Sequence, residues 1–170
     1  MNLKIFGAIF VVVGCGGWGF MVAAQHMQKI RLLRNLSGAI AYMECELQYR
    51  STVLPVLCEI TAKQSIGKIR QILLAMGTEL EAQVAPSVEQ CMAHAMEKCG
   101  EIPKPVRQLC AELGQSLGKF DLQGQLRGLE SVRTECERLL TQLQYNQDVR
   151  LRSYQTLGLC AGAAMAILFI

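Results

Sequence analysis

The side chains with the most chemical potential are two carboxylates within residues 43–49, Met-Glu-Cys-Glu-Leu-Gln-Tyr. Glu44 and Glu46 lie in a stretch without proline or glycine, where apolar residues recur every three or four positions, so a helix is predicted there. Residues of an α-helix are rotated by about 100° from one to the next, which places the two carboxylates about 160° apart. They cannot serve as a catalytic pair on one face, and ion pairing is the chemistry that remains.

Two hypotheses describe this ion pairing. Glu44 lies beside an apolar seam, where an unpaired carboxylate is costly. In the first hypothesis it pairs with Arg133 or Arg138 of a late helix, and Glu46 is solvated. In the second, one of the carboxylates acts with Tyr49 and meets a basic patch on another protein.

Histidines and cysteines indicate no catalytic or metal site. His26 and His94 are isolated, and the eight cysteines follow no C-x-x-C or zinc-finger spacing. Cys45, Cys91 and Cys136 fit apolar helical faces, which predicts reduced core thiols in the cytosol. Because phosphate loops, H-E-x-x-H, G-x-S-x-G and acidic metal loops are also missing, the chain is predicted to be neither an enzyme nor a cofactor- or metal-binding protein. A thiol- or metal-dependent membrane enzyme is the alternative.

Composition indicates helices as the elements that carry these residues. The chain is 51% hydrophobic but only 6% aromatic, and it is rich in Leu, Ala, Gln, Glu, Arg and Met. A net charge of +3, dispersed along the chain, argues against nucleic-acid binding. The predicted fold class is all-α, an antiparallel helical bundle.

Two apolar segments flank this bundle. Ile5 to Ala24 is uncharged over about the length that spans a bilayer, and Leu157 to Ile170 is a shorter uncharged run that needs Tyr154 to Thr156 at its edge. The predicted domains are therefore an N-terminal transmembrane helix (1–24), a cytosolic bundle (25–153) and a C-terminal transmembrane helix (154–170). Each predicted span has a small-residue face through which the two could pack. These faces consist of Cys15, Gly19 and Ala23 in the first span and Gly158 and Gly162 in the second.

Two alternatives exist for the N-terminal segment. It could be a signal peptide, or a lipoprotein signal with Cys15 as the lipidated residue. The apolar run continues beyond Cys15 to Ala24, which favours a retained membrane helix. Basic residues follow the first span and precede the second, so both termini are expected outside the cytosol and the central domain inside it.

Start and stop signals divide the central domain into helices. The first runs from about Gln25 to Tyr49, a second starts at Pro55, and a third ends near Gln83. Ser87 with Gln90 resembles a capping box for the fourth, prolines at 103 and 105 start the fifth, and Asp121 is an N-cap for the last. That last helix is expected to bend within 145–153.

Four stretches, taken in order, match patterns of a known family. L-E-x-E-I-x-Y corresponds to residues 43–49, and T-P-L-P to residues 52–55, with Val53 at the first proline. G-x-x-L-G-x-x-D-x-x-x-Q corresponds to residues 114–125, and L-G-x-x-A-G to residues 157–162. With these motifs, and with Leu3 to Phe20 resembling the family's first span, the chain resembles the stage III sporulation protein AB family over nearly its full length.

The resemblance implies a function that composition does not. The family is similar to the helical domain of the type II secretion F protein and the type IV pilus platform protein. It implies a non-catalytic adaptor in the mother-cell membrane around the forespore, which couples a secretion-type ATPase similar to stage III sporulation protein AA to channel components. Partners would be that ATPase, other stage III sporulation membrane proteins, membrane lipid and possible further copies of the chain. The partner-binding candidates are Glu44, Glu46, Tyr49, Gly118, Asp121 and Gln125. The alternative function is a signalling or stator-like membrane helix hairpin.

Overall fold

The computed structural model describes residues 27–83, 85–118 and 121–169, with side chains as far as residue 145. These residues form six α-helices and no β-strand. The helices are α1 (27–50), α2 (Leu54–Gln64), α3 (Gly67–Glu81), α4 (Val88–Lys98), α5 (Lys104–Ser116) and α6 (Leu122–Phe169). The all-α prediction is confirmed for the described part of the chain.

The predicted helix starts are set by local capping. The Ser87 hydroxyl accepts a hydrogen bond from the Gln90 amide at 3.3 Å, and an Asp121 carboxylate oxygen accepts one from the Gly124 amide at 3.0 Å. Each bond satisfies an amide that has no partner within the first turn. Prolines occupy the first turns of α2 and α5, as predicted.

Consecutive helices from α2 to α6 pack against each other, and a contact between the end of α5 and the start of α4 shows that these two are antiparallel. Gln115, near the end of α5, donates to Glu89 in the first turn of α4 at 2.9 Å. Glycine allows two of these helix pairs to approach closely. A Cβ on Gly114 would lie 2.9 Å from the Met92 Cβ, and one on Gly128 would lie 2.6 Å from the Ser116 Cβ.

All six helices contribute to one apolar core. Its largest fully buried side chains include Leu33, Ile40, Leu57, Met76, Met92 and Leu113. Burial of each such side chain stabilises the fold by roughly 1.5–3 kcal/mol. The core therefore holds the surface positions of all six helices in fixed relation.

Helix α1 buries a wider face than the sequence predicted. Besides the seam of Ile30, Leu33, Ile40 and Leu47, a second buried line runs beside it. This second line consists of Leu32, Leu36, Ala39, Met43 and Glu46. One predicted core position is wrong: Cys45 is exposed, because it lies opposite these lines.

Helix α6 is continuous for 48 residues, so the expected bend within 145–153 does not interrupt it. At about 1.5 Å per residue it is about 72 Å long. Within the described residues, no helix is both long enough and apolar enough to cross a membrane. The first predicted span, with Cys15, Gly19 and Ala23, lies outside the described residues, and packing through Gly158 and Gly162 stays a prediction.

Candidate partner-binding site

A groove of about 260 Å³ lies where the end of α1, the turn after it, and the starts of α2 and α6 meet. We call it the corner groove. It is lined by Leu47, Ser51, Thr52, Val53, Leu54, Leu122 and Gln125. Residues from three of the four family-like stretches lie in or beside it, although they are up to 78 positions apart in the chain.

The α1 side of the corner groove ends in an unusual backbone turn. Helix α1 ends at residue 50, and the Ser51 amide donates to the Leu47 carbonyl at 3.2 Å. Ser51 has φ +48°, a left-handed conformation that glycine usually adopts at this position. Val53 then caps α2 without a side-chain hydrogen bond, and Pro55 takes the second helical position instead of the predicted first.

Gly118 fixes the region where the α5–α6 connection meets the start of α2. Its φ of +83° is in the left-handed region, and an added Cβ would lie 2.5 Å from Val88 Cγ2 and 3.5 Å from Leu54 Cδ1. Only glycine fits this position without movement of its neighbours. The structure gives Gly118 a packing role beside the corner groove. Asp121 caps α6 next to the same groove, and Gln125 lines it.

The rim of the corner groove exposes apolar side chains. Val53 is 66% exposed and Leu122 is 40% exposed. Tyr49, in the last turn of α1, is 78% exposed but does not line the groove. Single exposed apolar residues are common, but a group of them around a groove is typical of a protein-binding surface. The arrangement can accept an apolar anchor residue of another protein.

Glu44 is held by an ion pair within the chain. The Arg133 Nε donates to Glu44 Oε1 at 3.2 Å and to Oε2 at 3.1 Å, and its Nη1 donates to Glu137 at 3.1 Å. The Glu44 carboxylate raises the pKa of the Arg133 guanidinium. This pairing is one of the two predicted from sequence. The other candidate, Arg138, binds Glu135 on its own helix at 2.6 Å.

Glu46 is not solvated, so that prediction is wrong. Its side chain is only 10% exposed because it continues the second buried line of α1. One oxygen accepts a hydrogen bond from the Tyr42 hydroxyl at 3.2 Å and lies 3.6 Å from the exposed Arg50. The other, Oε2, is buried and has no hydrogen-bond partner among the described residues. Neither Glu44 nor Glu46 lines the corner groove.

A second buried carboxylate, Glu79, was not predicted from the sequence. Glu79 of α3 is 4% exposed and accepts from Lys98 Nζ at 2.7 Å, and its second oxygen lies 3.2 Å from His94 Nδ1, both on α4. The hydrogen bond from Lys98 lowers the pKa of Glu79. His94 is therefore not isolated. Position 79 falls between the core positions 76 and 80 on the α3 seam, which is the signal that could have identified it.

The remaining reactive side chains form no site in the described structure. Burial raises the pKa of the Cys58, Cys110 and Cys136 thiols to about 12, as expected for core cysteines. A larger, open groove of about 580 Å³ between α5 and α6 is polar, with Glu112 and Arg127 among its lining residues. No metal-binding cluster occurs among the residues described.

Comparison with known proteins assigns the family. The family profile for stage III sporulation protein AB matches residues 4–170. The chain belongs to the stage III sporulation protein AB family. A curated member, stage III sporulation protein AB of Bacillus subtilis (strain 168), is 23% identical over 171 residues, which is 99% of each chain. The resemblance seen in the sequence motifs is confirmed.

A solved structure supports the fold independently. It is described as stage III sporulation protein AB, and it matches with a TM-score of 0.63 at 22% identity. The match covers 72% of this chain and 98% of the solved chain. The family name refers to a stage of sporulation and to no chemical reaction.

Proposed function

We propose that the protein is a non-catalytic membrane adaptor of a secretion-like sporulation transport complex between mother cell and forespore. In this proposal it couples a cytosolic ATPase, similar to stage III sporulation protein AA, to membrane channel components. The observation that carries the proposal is the meeting of three family-like motifs at the corner groove. These motifs are far apart in the sequence. A shared binding surface explains why they occur together in one protein.

The position of the corner groove supports a cytosolic partner. Glu44 of α1 pairs with Arg133 of α6, while Leu47 and Ser51 lie across the groove from Leu122 and Gln125. Later residues of α1 therefore face earlier residues of α6, so the two helices are antiparallel. Residue 27, the first described residue of α1, then lies at the end opposite the groove, about 30 Å away along α1. In this proposal the membrane segments join the bundle at that end.

The chemistry of the groove supports a protein partner. Its exposed Val53 and Leu122 provide an apolar surface. The exposed Tyr49 follows the lining residue Leu47 by two positions on α1. A few residues near the centre of an interface, most often Trp, Tyr and Arg, carry most of its binding energy. A partner would contribute an apolar anchor residue that fills the groove.

Co-purification of the full-length protein with the secretion-type ATPase tests the proposal. Val53→Asp places a charge in the groove, yet aspartate is a better N-cap for α2 than valine, so the fold should be retained. We expect Val53→Asp and Tyr49→Ala each to reduce ATPase recovery at least tenfold, the loss of one interface anchor.

Tyr145→Ala is the matched control, because Tyr145 is 70% exposed and lies on α6 far from the groove. It should leave ATPase recovery unchanged. Equal recovery with Val53→Asp and wild-type protein, both melting normally, would remove the corner groove from the interface.

The stator-like helix hairpin remains the second candidate, and the uninterrupted 48-residue α6 is the observation that favours it. A stator would transmit motion along α6 without an ATPase at the corner groove. Stable ATPase binding that depends on the groove favours the adaptor. Loss of ATPase binding in Val53→Asp, together with retained ATPase binding in Tyr145→Ala, would support the adaptor over the stator.

A further inference from the structure

Acidic residues are absent from the first 43 positions of the sequence. All fourteen lie between Glu44 and Asp148, whereas the residues before Glu44 carry only basic charges. Three of these basic residues, Lys29, Arg31 and Arg34, lie in the first turns of α1 and are called the basic collar. The collar therefore has no acidic neighbour on its own helix before Glu44, ten positions after Arg34.

The basic collar is accessible in the structure. Arg31 and Arg34 are exposed and Lys29 is half-buried. No ion pair within the described part of the chain involves any of the three, and the nearest α1 carboxylate, Glu44, already binds Arg133. At about 100° per residue the three side chains are distributed around the helix axis. Arg31 and Arg34 lie about 60° apart on the exposed side of α1, whereas Lys29 lies on the side of the buried Leu32 and Leu33.

The opposite helix adds charge at the same level. Continuing the antiparallel register of Glu44 with Arg133, residues 27–34 of α1 are level with roughly residues 143–150 of α6. The sequence there contains Arg150 and one acid, Asp148, and Arg152 follows two residues later. The described end of the bundle thus carries more basic than acidic residues.

The heights of the collar residues fit a membrane surface. The apolar run ends at Ala24, and Lys29, Arg31 and Arg34 follow five, seven and ten residues later in the sequence. In the proposed membrane-spanning helix, at about 1.5 Å per residue, these separations correspond to about 8, 11 and 15 Å. The headgroup layer is about 5–8 Å thick, and salt screens charge over about 10 Å. All three cations therefore lie within electrostatic reach of the headgroups.

We propose that the basic collar binds anionic phospholipid headgroups and enriches them around the protein. This inference rests on the proposed membrane anchoring. Arginine donates two parallel hydrogen bonds to a phosphate, and lysine contributes a point charge. Near an anionic surface each cation favours binding about fivefold.

The test uses full-length protein in vesicles of phosphatidylcholine with a minor fraction of phosphatidylglycerol. After extraction in mild detergent, the ratio of the two lipids retained by the purified protein is compared with the ratio in the vesicles. Wild-type protein should retain several times more phosphatidylglycerol than the vesicle ratio. Combined Lys29→Gln, Arg31→Gln and Arg34→Gln should return the retained ratio to that of the vesicles.

Two further variants make the result specific. Combined Arg70→Gln, Lys104→Gln and Arg107→Gln removes the same charge from exposed positions elsewhere and should keep the enrichment. Combined Arg31→Lys and Arg34→Lys keeps the charge and should keep most of the phosphatidylglycerol enrichment. Melting temperatures of all variants identify any that do not fold.

The outcomes separate the two proposals. Failure of wild-type protein to associate with pure phosphatidylcholine vesicles contradicts the membrane anchor itself. Association without phosphatidylglycerol enrichment, or enrichment that the collar substitutions leave unchanged, overturns the collar proposal and leaves the anchor intact.

Discussion

Replacement of Glu46 by methionine should stabilise the fold, although Glu46 lies in the most specific family-like motif. Its buried Oε2 has no hydrogen-bond partner among the described residues, while Oε1 has one bond from Tyr42 and a distant contact with the exposed Arg50. An apolar side chain of similar volume removes the desolvation cost of a half-satisfied carboxylate. We expect a gain of about 1 kcal/mol in the free energy of unfolding.

Replacement of Glu44 by methionine should instead lower the free energy of unfolding. Glu44→Met leaves Arg133 with only Glu137 as a partner. Because the Glu44 and Arg133 side chains are 20% and 32% exposed, the loss should be about 1–2 kcal/mol, below the roughly 3–5 kcal/mol of a fully buried pair.

Thermal and urea unfolding of the 25–153 fragment measures both effects. For about 130 residues, 1 kcal/mol corresponds to about 4 °C in Tm. Glu46→Met should melt above wild type and Glu44→Met below it. Tyr42→Phe should lower the Tm of wild-type protein but have little effect in the Glu46→Met background. A lower Tm for Glu46→Met than for Glu44→Met would refute the assignment of Oε2 as unpaired.

Three other predictions concern packing, pH and thiols. Gly118→Ala should lower stability by at least about 1 kcal/mol in urea unfolding, because it combines a positive φ with a clash; an unchanged midpoint would contradict this. The pKa of Glu79 is lowered from its ordinary 4.5, so its stabilising effect should be full above pH 4.5 and be lost as the pH falls through the lower folded value. Glu79→Gln should lose less stability than wild type between pH 5 and 3. If the free energies of unfolding of the two proteins fall in parallel over this range, the prediction is contradicted. With a thiol reagent at neutral pH, the exposed Cys45 should react quickly, whereas Cys58 and Cys110, each with a pKa of about 12, should react only on unfolding.

Local chemistry made much of the fold predictable. The Ser87 and Asp121 caps and the helix-starting prolines are signals contained within four residues, and the structure places helix starts at each. The Glu44 pairing was predictable because an acid beside an apolar seam needs a cation. The continuity of α6 was not, since proline-free polar residues allow either a bend or a straight helix.

The candidate site depends on tertiary contacts, which is why sequence predicted it only in part. The motifs indicated Tyr49, Gly118 and Gln125, but not that the turn at residues 51–54 and the start of α6 form a groove. Glu46 was assigned to solvent because only one of the two buried α1 lines was recognised. Glu79 was missed because its partners on α4 are 15 and 19 residues away.

Site-specific photocrosslinking tests most directly whether the corner groove binds the secretion-type ATPase. A photoreactive phenylalanine analogue at position 49 is compared with the same analogue at position 145, in full-length protein in sporulating cells. Both native residues are exposed tyrosines, at opposite ends of the described surface. The adaptor function predicts a crosslink to the ATPase from position 49 and none from position 145. Crosslinks from position 145 alone, or from neither position while the ATPase still co-purifies, would contradict it.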